Sequence, residues 1–237
     1  MKTIHPTNYL DGITNIPTSP DDFIGGARDA AIAMQRTIAK SRERGFAAIK
    51  LMFAGAPGIG KTALTYFARH LLGVNRFAVH DYNGCDVTID VVRDLRGSMH
   101  LCANTLFGDY RLICVHESDK MSAQAQAGFL TMLDNLPSRA CVICTTNQTI
   151  AVSDKMERER FTSRCKYTEI QPPKADEIAA LLVRFDVPVE IAAQIAANTG
   201  GNVRAALLEA EEYLDCHHTT ISEPVPEIVE TRDLVPA

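Results

Sequence analysis

The chain has 237 residues, 46% of them hydrophobic, and a formal net charge of −5. That length holds one large α/β domain plus a small second one, and the apolar content excludes global disorder. The acidic balance excludes a protein that coats nucleic acid over its whole surface, though not a basic stripe on one face.

Residues 1–20 are rich in Pro, Thr, Asn and Asp and read as an extended arm. Met1 to Leu10 has no signal-peptide hydrophobic region. No apolar run approaches the roughly 20 residues needed to cross a bilayer, so a cytoplasmic protein without a membrane partner is expected. Asp21-Asp22 opens a helical stretch in which Ala27, Ala31, Met34 and Ile38 recur at helical spacing before the basic run Lys40 to Arg44. Strands are expected over Ala47 to Phe53, Phe77 to Tyr82, Tyr110 to Val115, Ala140 to Thr145 and Lys166 to Ile170. Helices are expected between them, over Lys61 to Leu72, Thr88 to Phe107, Ser122 to Leu136 and a short charged segment around Glu157 to Phe161. Short apolar strands alternating with helices predict an α/β fold with a five-stranded parallel sheet covered on both faces. Beyond Pro172-Pro173 the strand pattern stops. Lys174 to Phe185, Val189 to Asn198 and Val203 to Leu214 are amphipathic helices, with Asn202 a plausible N-cap for the last. The expected organisation is an arm (1–20), a nucleotide-binding α/β domain (21–171), a small all-helical lid domain (172–214) and a mobile acidic tail (215–237).

The stretch Gly55-Ala56-Pro57-Gly58-Ile59-Gly60-Lys61-Thr62 fits G-x-x-x-x-G-K-[ST] and lies between a predicted strand and a predicted helix. Its glycines let backbone N–H groups turn inward around the phosphates of a nucleotide, and the following helix directs its positive dipole end at the same anion. Lys61 supplies a point charge for the outer phosphates, and Thr62 a hydroxyl for Mg²⁺. The strand Arg111 to Val115 ends in His116-Glu117-Ser118-Asp119. In a P-loop ATPase, residues at this strand end face the γ-phosphate. Glu117 is the candidate for water activation. His116 stands where an Asp that helps hold Mg²⁺ is usual, and a neutral imidazole lacks that negative charge. Either the metal is held more weakly or Asp119 partly compensates. Asn147, at the end of the next strand, can hydrogen-bond both the attacking water and a phosphate oxygen. Among seven cysteines, Cys141 and Cys144 form a C-x-x-C inside an apolar run with no second pair at metal spacing, so a buried structural role is expected. Cys216-His217-His218 reads as a frayed helix end.

Together these motifs resemble the AAA+ ATPases, and within them the clamp-loader branch of replication factor C small subunits and phage clamp-loader ATPase subunits. The resemblance covers roughly Asp21 to Leu214. Asp22-Phe23-Ile24-Gly25-Gly26 resembles the segment that wraps adenine. Thr146-Asn147 resembles sensor 1, Ser163-Arg164-Cys165 the arginine-finger motif, and Gly201-Asn202-Val203-Arg204 the lid helix with the sensor 2 arginine. Asn83 to Asp86 with Ile89 to Arg93 is similar to the stretch that opens a helix facing DNA. The resemblance implies ATP and Mg²⁺ as cofactors, bound through Ile24, Gly55, Pro57, Gly58, Gly60, Lys61, Thr62, Ala63 and Arg204. It implies Glu117, Asn147 and Arg164 as catalytic residues, with Arg164 reaching into the site of a neighbouring copy, so that the chain is its own partner. Thr62 and Asp119 would serve the metal, and Arg93 and Arg96 would lie near DNA phosphates, with DNA and a DNA-bound protein as partners. The implied function is a clamp-loader-like ATPase in DNA replication or mobile-element DNA metabolism, with hydrolysis weakened by His116. Two alternatives stand beside it: an interaction protein whose ATP is structural, and a transposition regulator or helicase-loader-like protein. The chain departs from that branch in His116, in the charged run Lys155 to Arg160, and in a stretch after Leu214 too short for a collar domain.

Overall fold

The computed structural model describes residues 16–99, 109–147 and 155–218. Most of the expected arm, the end of the helix expected over Thr88 to Phe107 and most of the expected tail lie outside the described residues. In chain order the elements are α1 (Gly25–Glu43), β1 (Ile49–Ala54), α2 (Lys61–Leu72), β2 (Val79–Asn83), α3 (Ile89–Met99), β3 (Arg111–His116), α4 (Ala123–Asp134), β4 (Ala140–Thr146), α5 (Lys155–Thr162), β5 (Lys166–Glu169), α6 (Ala175–Val183), α7 (Val189–Asn198) and α8 (Val203–His218). The five strands form one parallel sheet in the order β2-β3-β4-β1-β5.

The period of two along each strand sorts its side chains between two cores. On one face Leu51, Phe53, Leu112, Cys114, Cys141 and Ile143 pack against Met34 and Ile38 of α1 and Leu64 and Phe67 of α2. On the other, Met52, Ile113, Val115, Val142 and Cys144 pack against Val92 and Leu95 of α3 and Phe129 and Leu133 of α4. Each such apolar side chain, fully buried, contributes roughly 1.5–3 kcal/mol relative to its exposed state. β4 lies between β3 and β1, and every one of its residues is buried. This explains why its sequence is a continuous apolar run rather than an alternation. It also disposes of the C-x-x-C: residues three apart on a strand face opposite ways, and Cys141 and Cys144 belong to opposite cores. Among the described residues no cluster of His, Cys, Asp and Glu is arranged to hold a metal.

Most elements shift by one or two residues at an end from the sequence expectation, and two of these differences have a visible local cause. The second strand begins at Val79 rather than Phe77, because Arg76–Ala78 closes a 3-10 turn and the Asn75 side chain accepts a hydrogen bond from Phe77 N at 3.3 Å. α8 continues past Leu214 to His218; its last turn gains a ring stack between Tyr213 and His217, with centroids 4.1 Å apart. α6, α7 and α8 share a core of their own, built from Ile178, Leu181, Leu182, Ile195, Leu207 and Ala210. Among the described residues no helix is long and apolar enough to cross a membrane.

Candidate nucleotide-binding site

β1 runs into the glycine loop, and α2 leaves it at Lys61. No side chain caps the start of α2, so its first N–H groups stay available to a ligand. Gly58 has φ +77, and a Cβ there would collide with the Asn202 side chain; only glycine lets the lid residue lie directly on the loop. The contact is reinforced where Arg204 N–H donates to the Gly58 carbonyl at 3.1 Å. Asn202 also caps α8, its Oδ1 accepting from Ala205 N at 3.1 Å.

Lys61 is 8% exposed, and its Nζ donates to the Gly55 and Ala56 carbonyls at 2.8 and 2.7 Å. Burial, followed by the nearby Arg204 guanidinium, pushes its pKa down to about 8, while Glu117 and Asp119 pull the other way. An anion bound at the loop favours the charged lysine, so the bound state holds the proton more tightly than the free state. Affinity is therefore greatest below the free-state value and declines as pH rises through it. In EDTA, affinity for a non-hydrolysable ATP analogue is expected to fall about tenfold between pH 7 and pH 9. Lys61→Arg should flatten that profile, since guanidinium stays charged throughout; isothermal titration across the range checks both.

β3 and β4 end side by side, and their termini bring the polar groups together. Glu117 stands at the end of β3 in a left-handed conformation, φ 50. Its Oε2 lies 2.5 Å from Lys120 Nζ, and its Oε1 accepts from Asn147 Nδ2 at 3.2 Å. The Lys120 hydrogen bond holds the Glu117 carboxyl below its ordinary value against the opposing effect of burial, and the Lys120 charge and Asn147 add to that depression. Gly84, after β2, abuts the same turn: a Cβ there would collide with the Glu117 carbonyl. His116 turns Nε2 to Asp81 Oδ1 at 2.8 Å, and its Nδ1 is buried with no hydrogen-bond partner. Asp119 accepts a hydrogen bond from Thr146 Oγ1 at 2.7 Å.

The lid and the sheet ends enclose a cavity of about 890 Å³. The expected residues Ile24, Pro57, Gly58, Gly60, Lys61, Thr62, Ala63, Glu117, Asn147 and Arg204 line it, as does His116. Gly55 reaches it through its carbonyl on Lys61, and Asp119 stands behind the strand ends without lining it. Phe23, from the segment that resembles the adenine wrap, lines it too; sequence reasoning missed Tyr66, Asn83, Leu181, Phe185 and Leu207, which also line the cavity. Tyr66 was accessible from helical spacing, one turn beyond Thr62. Leu181, Phe185 and Leu207 were not: the apolar stripe that packs the lid also supplies the cavity wall.

Three expected residues lie elsewhere. Arg164 is held on the flank of the fold, its Nε 2.9 Å from both Asp134 oxygens and its Nη1 donating to the Arg160 carbonyl at 3.0 Å. Arg93 and Arg96 lie on the exposed face of α3, where Arg93 pairs with Asp90 at 2.8 Å. For Mg²⁺, Thr62 offers the hard oxygen donor that the ion takes alongside phosphate oxygens and water. His116 offers no carboxylate oxygen, and Asp119 is already engaged by Thr146. The donor set fits an ion held chiefly by the nucleotide.

Residues 51–168 match the family described as "ATPase family associated with various cellular activities (AAA)". Over 127 residues the chain is 25% identical to the "Probable replication factor C subunit 3" of Dictyostelium discoideum, covering 51% of this chain and 35% of that protein. The chain thus spans about a third of the length of the curated relative it matches. Among solved structures, the Thermotoga maritima RuvB Holliday junction branch migration motor superposes with a TM-score of 0.66 at 18% identity, covering 86% of this chain and 66% of that one. A mutant of the same RuvB gives 0.67 at 18%, covering 86% and 68%. At such identity the likeness shows the fold, a P-loop α/β sheet of the AAA type. The cradle around Lys61, the polar strand ends beside it and the matched segment lead to one statement of kinship: residues 51–168 carry an ATPase domain of the AAA family.

Proposed function

We propose that the chain binds ATP with Mg²⁺ in this cavity and hydrolyses it at a junction between two copies, as a clamp-loader-like ATPase that remodels a DNA-bound assembly. One observation carries this reading: every expected nucleotide-site side chain except Arg164 and Asp119 gathers at one cavity, while Arg164 sits away from it on the flank. A finger that cannot serve its own site is suited to a neighbour's.

In the proposed reaction, Lys61 and the first turn of α2 hold the β- and γ-phosphates. Glu117 orients the water that attacks the γ-phosphorus, and Asn147 keeps that carboxylate aimed. As the new P–O bond forms, the bond to the β–γ bridging oxygen breaks, and ADP departs with the negative charge. Arg164 of the adjoining copy stabilises charge on the transferring group, and Arg204 brings the lid to the γ-phosphate. Mg²⁺, when bound by Thr62 and the phosphates, supplies charge neutralisation. Arg93 and Arg96 would meet DNA phosphates along α3, each adding salt-dependent affinity without sequence preference.

The test is turnover per chain against protein concentration. A junctional site predicts a rate per chain that rises several-fold as copies associate; a rate per chain that stays constant from nanomolar to micromolar would refute the junction. His116 favours a second reading, in which ATP is held as a structural ligand and not hydrolysed. Steady-state turnover by the wild-type chain, beside His116→Asp as comparator, removes that reading.

A further inference from the structure

The end of α6 carries a feature that the phosphate chemistry does not use. Phe185 N donates to Leu182 O at 2.9 Å, Asp186 N to Val183 O at 3.1 Å and Val187 N to Leu182 O at 3.4 Å, the hydrogen-bond pattern that closes a helix through a left-handed residue. That residue is Asp186, with φ +66. Glycine is the residue this position favours, because a Cβ crowds the following carbonyl. Aspartate is tolerated in such places when its short side chain bonds the local backbone. Among the described residues, the Asp186 carboxylate makes no hydrogen bond and no ion pair. It lines the nucleotide cavity instead, as do its neighbours Phe185 and Arg184. A strained position filled by an unpartnered acid at a cavity wall points outward, to what enters the cavity.

The cavity has two chemically distinct ends. Lys61, Thr62 and the loop N–H groups suit phosphates. Phe23, Ile24, Leu181 and Leu207 offer an apolar slot for a flat base. The group joining base to phosphates is a sugar with two vicinal hydroxyls, both hydrogen-bond donors. A carboxylate accepts two such bonds, and an acid that takes a ribose 2′-hydroxyl is a recurrent solution in nucleotide sites. An acid near a triphosphate is repelled by it, and the Arg184 guanidinium on the same turn offsets that charge.

We propose that the turn after α6 reads the sugar: Asp186, with Arg184 beside it, takes the ribose hydroxyls, so the site prefers a ribonucleoside triphosphate to its 2′-deoxy counterpart. This rests on the reading of the cavity as an ATP site. The test is competition of ATP, 2′-deoxy-ATP and GTP against a fluorescent ATP analogue on the full chain, with melting temperature measured alongside. ATP is expected to bind about tenfold more tightly than 2′-deoxy-ATP. Asp186→Gly should bring ATP and 2′-deoxy-ATP to one common affinity, at or below that of 2′-deoxy-ATP for the wild type, since the deoxy sugar still offers its 3′-hydroxyl to the carboxylate. It should hold or raise the melting temperature, because glycine suits the left-handed position. Equal affinity for the two sugars in the wild type overturns the proposal, as does discrimination that survives Asp186→Gly. GTP outcompeting ATP through Asp186 would assign the carboxylate to the base and overturn it too. Binding of no triphosphate at all would instead sink the ATP-site reading on which this one stands.

Discussion

Arg164→Ala is expected to lower ATP turnover by about a thousandfold or more while leaving ATP affinity within a few-fold of wild type, since an arginine finger acts on charge that develops only during transfer. The geometry gives the experiment a sharper form. Asp134 and the Arg160 carbonyl fix the guanidinium on the flank, away from its own cavity. A chain lacking Arg164 should therefore keep a complete nucleotide pocket and fail only as a donor. Mixed with a chain that lacks Lys61, it would contribute its intact pocket while the other contributes the finger, and turnover should partly return. Each variant alone should remain inactive. If Arg164→Ala retains wild-type turnover at every concentration, trans donation is wrong; if the mixture stays inactive although both variants assemble, the pairing of finger and pocket is wrong.

Glu117→Gln is expected to reduce turnover by about 10²–10⁴-fold with nucleotide binding retained. The amide preserves size, and its one oxygen can still accept from Asn147, although its NH2 cannot replace the oxygen that Lys120 meets. What it loses is the anion that aligns water against the γ-phosphorus. A single-turnover assay on pre-bound ATP separates the two properties: normal association followed by a stalled chemical step is the expected record. Rapid hydrolysis by this variant would move the water-activating role to another residue, with His116 next at the same strand end.

The fold was legible because its signals are periodic and long. α2 and α7 have the bounds that helical spacing and capping give, Lys61–Leu72 and Val189–Asn198. β4 was recognisable as a strand over Ala140 to Thr145 from its apolar run, and it extends one residue further, to Thr146. The edge was harder. β2 has no fully buried residue, so its start, hidden by Phe77 in an exposed 3-10 turn, carried no alternation to read. The phosphate end of the site was legible for a similar reason, since glycines and a lysine at fixed offsets state their own chemistry. At the base end only the segment around Phe23 and Ile24 was legible, through its resemblance to an adenine wrap. Leu181 and Phe185 serve core and cavity at once, and nothing in an apolar side chain distinguishes the two uses. Asp186 was hidden differently: its meaning lies in a left-handed backbone that the letter D does not announce.

Phe23 and Ile24 are neighbours in the chain but belong to different bodies: Phe23 is buried beneath the sheet against Phe67, and Ile24 packs with the core of α6–α8. Both also face the cavity. Whatever fills that cleft therefore acts as mortar in the joint, touching the two bricks where a single peptide link ties them. Occupancy should be felt as a stiffening of the whole particle, and a vacant joint should be the first place that heat pries open.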